Sequence, residues 1–107
     1  GETRTGVSII KVTPGLDSGD VLRQGAIDIL PDETSGELET RLAALGAGLC
    51  VDVVTRTRGE GFFAGVPQNP ALVTKAPKLK KDDGLIDWAQ SPDVVSQQVR
   101  AMQPWPT

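Results

Sequence analysis

The sequence predicts an α/β fold: two short neighbouring strands, one long amphipathic helix, a linker and a second, shorter helix. Three observations predict it. Residues 5–12 (TGVSIIKV) and 21–30 (VLRQGAIDIL) are short apolar runs split by Gly/Pro turn chemistry. Leu38, Leu42, Leu45, Leu49 and Val53 recur at helical spacing. Ser91-Pro92-Asp93 reads as a helix start.

The elements follow in chain order. In residues 5–12, Ile9 and Ile10 point to opposite sides of an extended chain, so this strand is expected to be buried on both faces. Residues 13–20 (TPGLDSGD) form a turn. The strand over 21–30 is expected to be weakened or bulged at Gly25. So short a connection makes the two strands antiparallel. Pro31 and Asp32 end the second one, and Thr34 with Glu37 three residues on fits a capping box. Gly46 and Gly48 interrupt the helix that follows, each costing roughly 1 kcal/mol against Ala, so a kink or a break is expected there. Gly59 is the expected stop, with Arg56 and Arg58 suiting the carbonyl end. Residues 59–85 change composition and read as a linker carrying the apolar pair Phe62-Phe63, with room for one short strand around Leu72-Val73-Thr74. Beyond it, Val95, Val99 and Met102 line one face of the last helix, which Pro104 stops.

Composition bounds the function. A chain of 107 residues holds at most one small domain. Aromatic residues make up 4% of it and neither His nor Tyr occurs, so the core is expected to be light. A formal net charge of −3 argues against a generic nucleic-acid binder but leaves room for a local basic patch. The single cysteine, Cys50, excludes an internal disulfide framework and a cysteine-rich zinc site. No apolar run is long enough to span a bilayer, and the simplest expectation is a soluble protein of a reducing compartment. The chain opens on Gly1 and closes on a Trp-bearing segment with nothing after it to pack against, which suggests an internal piece of a longer protein.

Few residues carry a chemical signal. Asp17 lies in the Gly/Pro turn between the strands. A turn Asp commonly bonds its own backbone. A carboxylate held at the end of a sheet could instead orient a histidine or position a proton-shuttling water, but the histidine would have to lie outside this chain. The Asp17-Ser18-Gly19-Asp20 run lacks the ligand spacing of a calcium loop, and no metal is expected. Gly15 and Gly19 make no phosphate loop, since no Lys-Ser/Thr follows. Cys50, between Leu49 and Val51, reads as a buried structural thiol rather than a nucleophile. Lys75, Lys78, Lys80 and Lys81 form a basic cluster answered by Asp82 and Asp83, either a solvated linker or a phosphate-contacting strip. Trp88 and Trp105 read as packing anchors before base-stacking platforms.

Several segments together resemble the folate-dependent formyltransferases, and within them the methionyl-tRNA formyltransferase family. They are Thr5-Gly6-Val7-Ser8-Ile9, Gly15-Leu16-Asp17-Ser18-Gly19-Asp20-Val21-Leu22, Glu33-Thr34-Ser35-Gly36-Glu37-Leu38, and Arg41-Leu42-Ala43-Ala44-Leu45-Gly46. Then come Thr74-Lys75-Ala76-Pro77-Lys78-Leu79-Lys80-Lys81, Ile86-Asp87-Trp88 and Val99-Arg100-Ala101-Met102-Gln103-Pro104-Trp105-Pro106. The resemblance covers almost the whole chain and runs in the family's order. It implies the C-terminal part of a Rossmann-like catalytic domain over residues 1–58, a linker over 59–85, and the start of a C-terminal tRNA-binding domain over 86–107. It implies formyl transfer from 10-formyltetrahydrofolate to the amino group of methionyl initiator tRNA, in a cytoplasmic protein that is monomeric at full length. Asp17 would be the catalytic aspartate, partnered by an Asn and a His in the preceding part of the domain, and Pro14, Gly15 and Leu16 would contact the pterin. Lys78, Lys80 and Lys81 would contact tRNA phosphate. Without the Asn and the His, the chain alone is expected to be inactive. Relatives acting on a nucleotide sugar or on water, and a purely structural or binding role, are the competing readings.

Overall fold

The computed structural model describes residues 1–60 and 64–105. Its elements are β1 (Arg4–Ile10), β2 (Val21–Asp28), α1 (Ser35–Glu60) and α2 (Pro92–Ala101), with single 3-10 turns at Pro70–Leu72 and Lys81–Gly84. The expected α/β order is present. β1 and β2 pair antiparallel, with Arg4 opposite Asp28 and Val7 opposite Gly25. The radius of gyration is 17.0 Å, against about 13 Å for a compact domain of this size, so the chain is elongated.

Alternation along β1 sorts its side chains. Thr5, Val7 and Ile9 are half-buried, while Arg4, Gly6 and Ser8 are exposed. The half-buried set lies toward α1. A Cβ added at Gly46 of α1 would touch Val7 at 3.4 Å, and one added at Gly25 would sit 3.1 Å from a Leu45 methyl and 3.3 Å from a Leu49 methyl. The expectation of a strand buried on both faces is therefore corrected: α1 covers one face, and the other carries Arg4, Gly6, Ser8, Gln24 and Ala26 into solvent. The expected irregularity at Gly25 is also moved. Ile9 pairs with Arg23 and Ile10 with Val21, so the extra residue is Leu22. Gly25 keeps regular pairing, and its missing side chain is what lets the leucines of α1 approach the sheet.

Helix α1 starts where its capping box predicts. The Glu37 amide donates to Thr34 Oγ1 at 3.2 Å, and Glu37 Oε1 accepts the Thr34 amide at 3.2 Å. Leu38, Leu42, Leu45 and Leu49 are half-buried and Val53 is buried, as their spacing predicts. Of the kink or break expected at Gly46 and Gly48, the break does not occur: the helix is continuous through Glu60. Packing of the leucine face along the sheet outweighs the propensity cost of two glycines, and Gly46 itself lies against Val7. Cys50 is exposed, which corrects the expected buried thiol. It stands one residue past Leu49 and so is rotated off the apolar stripe. Val53 is the sole buried hydrophobic side chain among the described residues, so the core is as light as the composition suggests.

The 59–85 stretch departs from expectation in detail. Phe62 and Phe63 lie outside the described residues. No strand forms at 72–74. Val66 bridges Val21 instead, with N–H···O distances of 2.8 and 2.8 Å. Asn69 then caps the turn at Pro70–Leu72 by accepting the Ala71 amide at 3.0 Å. A proline without a donor at position 70 favours that turn over an extended ladder.

Helix α2 has its expected cap, with Ser91 Oγ accepting the Val94 amide at 3.4 Å and Pro92 in the first turn. Its far end docks on the start of α1. The Gln103 carbonyl accepts the Gly36 amide at 3.0 Å and the Ser35 hydroxyl, and the Arg100 guanidinium donates to the Glu33 carbonyl at 3.3 Å. Trp88 and Trp105 are 79% and 55% exposed, so neither anchors packing among the described residues. Of the expected stripe, Val95 and Met102 are half-buried while Val99 is exposed, at 43%.

Candidate functional site

The loop between β1 and β2 carries Asp17. The Lys11 amide donates to the Asp20 carbonyl at 3.0 Å, closing the loop at its base. Gly19 is buried there, and a Cβ on it would lie 1.7 Å from the Lys11 carbonyl oxygen, so a glycine is required. Asp17 has φ of 50°, a left-handed conformation that Asp tolerates better than most residues. Its carboxylate does not bond its own turn, since no hydrogen bond or ion pair reaches it among the described residues. Its main-chain carbonyl accepts from the Gln68 carboxamide at 2.9 Å, and the same nitrogen donates to the Gly19 carbonyl at 2.7 Å.

Asp17 lines two cavities. One, of about 70 Å³, lies inside the loop and includes Gly15 and Ser18. The other is a groove of about 650 Å³ on the sheet face that α1 leaves open. Its floor is Ser8, Ile10, Val21 and Gln24, and the segment that bears Gln68, Asn69, Leu72 and Val73 forms its wall. The Gln24 side-chain Nε2 donates to Ser8 Oγ at 2.8 Å across that floor. The size falls within the range of small-molecule sites, and its lining sets apolar side chains beside three carboxamides, the Ser8 hydroxyl and the Asp17 carboxylate.

The other sequence-selected residues are placed more loosely. Gly15 shares the small cavity with Asp17, while Pro14 and Leu16 line neither, and Leu16 stands 92% exposed on the loop's outer side. Lys78, Lys80 and Lys81 are exposed and line neither cavity. The Asp83 carboxylate accepts the Lys80 amide at 2.6 Å, so the acid that follows the lysines shapes their turn. Gln68, Asn69, Ser8 and Gln24 were not singled out from the sequence. The one signal for the first two is a pair of amides set between Pro67 and Pro70. No group of His, Cys, Asp and Glu able to hold a metal occurs among the described residues, and no helix is long and apolar enough to cross a membrane.

The molecule thus combines a two-stranded antiparallel sheet, a long helix on one face, and a loop carboxylate beside a groove on the other. Residues 1–54 match the family described as Formyl transferase, and residues 78–107 match Formyl transferase, C-terminal domain. The chain belongs to the formyl transferase family. It is 47% identical over 106 residues to the methionyl-tRNA formyltransferase of Koribacter versatilis (strain Ellin345), covering 99% of this chain and 34% of that protein. It is 45% identical over the same length to the methionyl-tRNA formyltransferase of Nitratidesulfovibrio vulgaris (strain DP4), covering 32% of that protein. The chain thus spans about a third of the length of these relatives. A crystal structure of the N-formyltransferase from Helicobacter canadensis, in complex with folinic acid and dTDP-3-aminofucose, superposes on 92% of this chain and 37% of its own, with a TM-score of 0.82 and 18% identity. That likeness bears out the expected formyltransferase fold.

Proposed function

We propose that the full-length protein containing this chain transfers a formyl group from 10-formyltetrahydrofolate to the amino group of methionyl initiator tRNA. The observation that carries the reading is the similarity to methionyl-tRNA formyltransferases along 99% of the chain, at 40–47% identity. In this reading residues 1–58 close the catalytic domain, 59–85 link, and 86–107 open the tRNA-binding domain.

The groove beside Asp17 is the proposed folate site, with Gly15 and its neighbours Pro14 and Leu16 at the loop edge. Attack of the α-amine on the formyl carbon forms a C–N bond and a tetrahedral oxyanion. Collapse breaks the bond to the folate N10, so the amine nitrogen loses a proton and N10 gains one. The Asp17 carboxylate, held free of its own turn, serves to orient a histidine and the water that carries this proton, both supplied from beyond this chain. An Asn from the same preceding segment stabilises the oxyanion.

The test is Asp17→Asn in the full-length enzyme, assayed with methionyl-tRNA, with a dTDP-amino sugar and with water as acceptor. Wild type should formylate methionyl-tRNA alone, and Asp17→Asn should lose about a hundredfold or more in kcat with little change in folate affinity. Near-wild-type kcat in the variant would remove Asp17 from the mechanism, and turnover of the sugar instead of the tRNA would replace the acceptor.

A further inference from the structure

We infer that Gln68 is a positioning residue, which holds Asp17 in its working conformation through the main chain. The inference rests on the reading of Asp17 as catalytic and extends it to a residue of the stretch that follows the helix. The Gln68 carboxamide nitrogen carries two hydrogens, and both are used: one toward the Asp17 carbonyl at 2.9 Å, the other toward the Gly19 carbonyl at 2.7 Å. Those carbonyls bracket Ser18, so the amide spans the turn that sets Asp17 at φ of 50°. Asp tolerates the left-handed region better than most residues, but a single fixed conformation there still needs support from its surroundings. The loop's own bonds do not supply it at Asp17. The Lys11 amide is spent on the Asp20 carbonyl at the loop base, and Pro14 has no donor.

Gln68 is itself anchored. Val66, two residues earlier, is bonded to Val21 through both its N–H and its carbonyl. Gly65 lies so close to β2 that a Cβ there would sit 2.7 Å from Asp20 Cβ and 3.0 Å from the Val21 carbonyl. Asn69, one residue later, closes the turn at Pro70–Leu72. The amide is therefore presented from a fixed backbone, and Gln68 and Asp17 line the same groove. The chemistry requires a donor. A glutamate at 68 would aim a carboxylate at two carbonyl oxygens, and a leucine would offer them nothing, whereas a lysine of similar reach could still donate.

Steady-state kinetics and amide hydrogen exchange on the full-length enzyme test this. Gln68→Leu should lower kcat about tenfold and raise KM for folate by less, since Gln68 also walls the proposed folate groove, while KM for the acceptor stays within about threefold. Gln68→Lys should recover most of that loss. In an Asp17→Asn background, Gln68→Leu should lower kcat by less than about twofold further, because two changes acting through one group are not additive. Amides of residues 16–19 should exchange at least about tenfold faster in Gln68→Leu while those of α1 stay unchanged. Unchanged loop exchange, or a full additional loss of kcat in the Asp17→Asn background, overturns the inference. If Asp17→Asn alone keeps wild-type kcat, the functional reading fails, and the exchange measurement still decides the positioning.

Discussion

Glu33 and Arg41 form an ion pair whose two ends are buried to very different degrees, and this predicts an asymmetric response to mutation. The Glu33 side chain is 3% exposed and the Arg41 side chain 38%. Arg41 Nη1 reaches both carboxylate oxygens, at 2.8 and 2.5 Å, and also donates to the Asp28 carbonyl at 3.2 Å. Loss of one partner of a fully buried pair costs about 3–5 kcal/mol, chiefly because the other charge is stranded. In Glu33→Gln the stranded group is Arg41, which keeps water and the Asp28 carbonyl, so the loss should be about 1 kcal/mol, that of an exposed pair plus a neutral hydrogen bond retained. In Arg41→Met the stranded group is a buried carboxylate. The start of α1 offsets part of that, leaving a loss of about 3 kcal/mol. Urea unfolding of the full-length protein reads the difference: the midpoint should fall by about 1–3 M in Arg41→Met and by a third of that in Glu33→Gln. Equal shifts, or a larger one in Glu33→Gln, would refute the argument from burial.

Two further predictions follow from the helix and from the lysines. At Gly48 an added Cβ meets nothing within 4 Å, so Gly48→Ala should stabilise the protein by about 1 kcal/mol through helix propensity alone, raising the urea midpoint; an unchanged or lower midpoint would mean that the outer face of α1 is covered in the whole protein. Replacing Lys78, Lys80 and Lys81 together by Ala should raise KM for tRNA, leave KM for folate unchanged and reduce the salt dependence of tRNA binding by about one to three released counterions, whereas an unchanged tRNA KM and salt slope would leave these lysines as solvated groups only.

Local chemistry alone determined much of this molecule. The capping box at Thr34 and Glu37, the Ser91-Pro92 start of α2, the leucine stripe of α1 and the antiparallel pairing of β1 with β2 all depend on contacts within a few residues or on a single short connection. They were therefore legible without the fold. The family, too, was legible, because its segments recur in a fixed order along the chain. Tertiary structure decided what depends on distant partners. Packing of Leu45 and Leu49 against Gly25, and of Gly46 against Val7, keeps α1 continuous where two glycines allowed a break. The bridge from Val66 to Val21 places the neighbouring amides beside a loop some fifty residues earlier, at |i−j| of 51 between Gln68 and Asp17. No period or propensity in the sequence could assign Gln68 that role, since a pair of amides between prolines has no chemistry until the fold supplies the carbonyls that one of them meets.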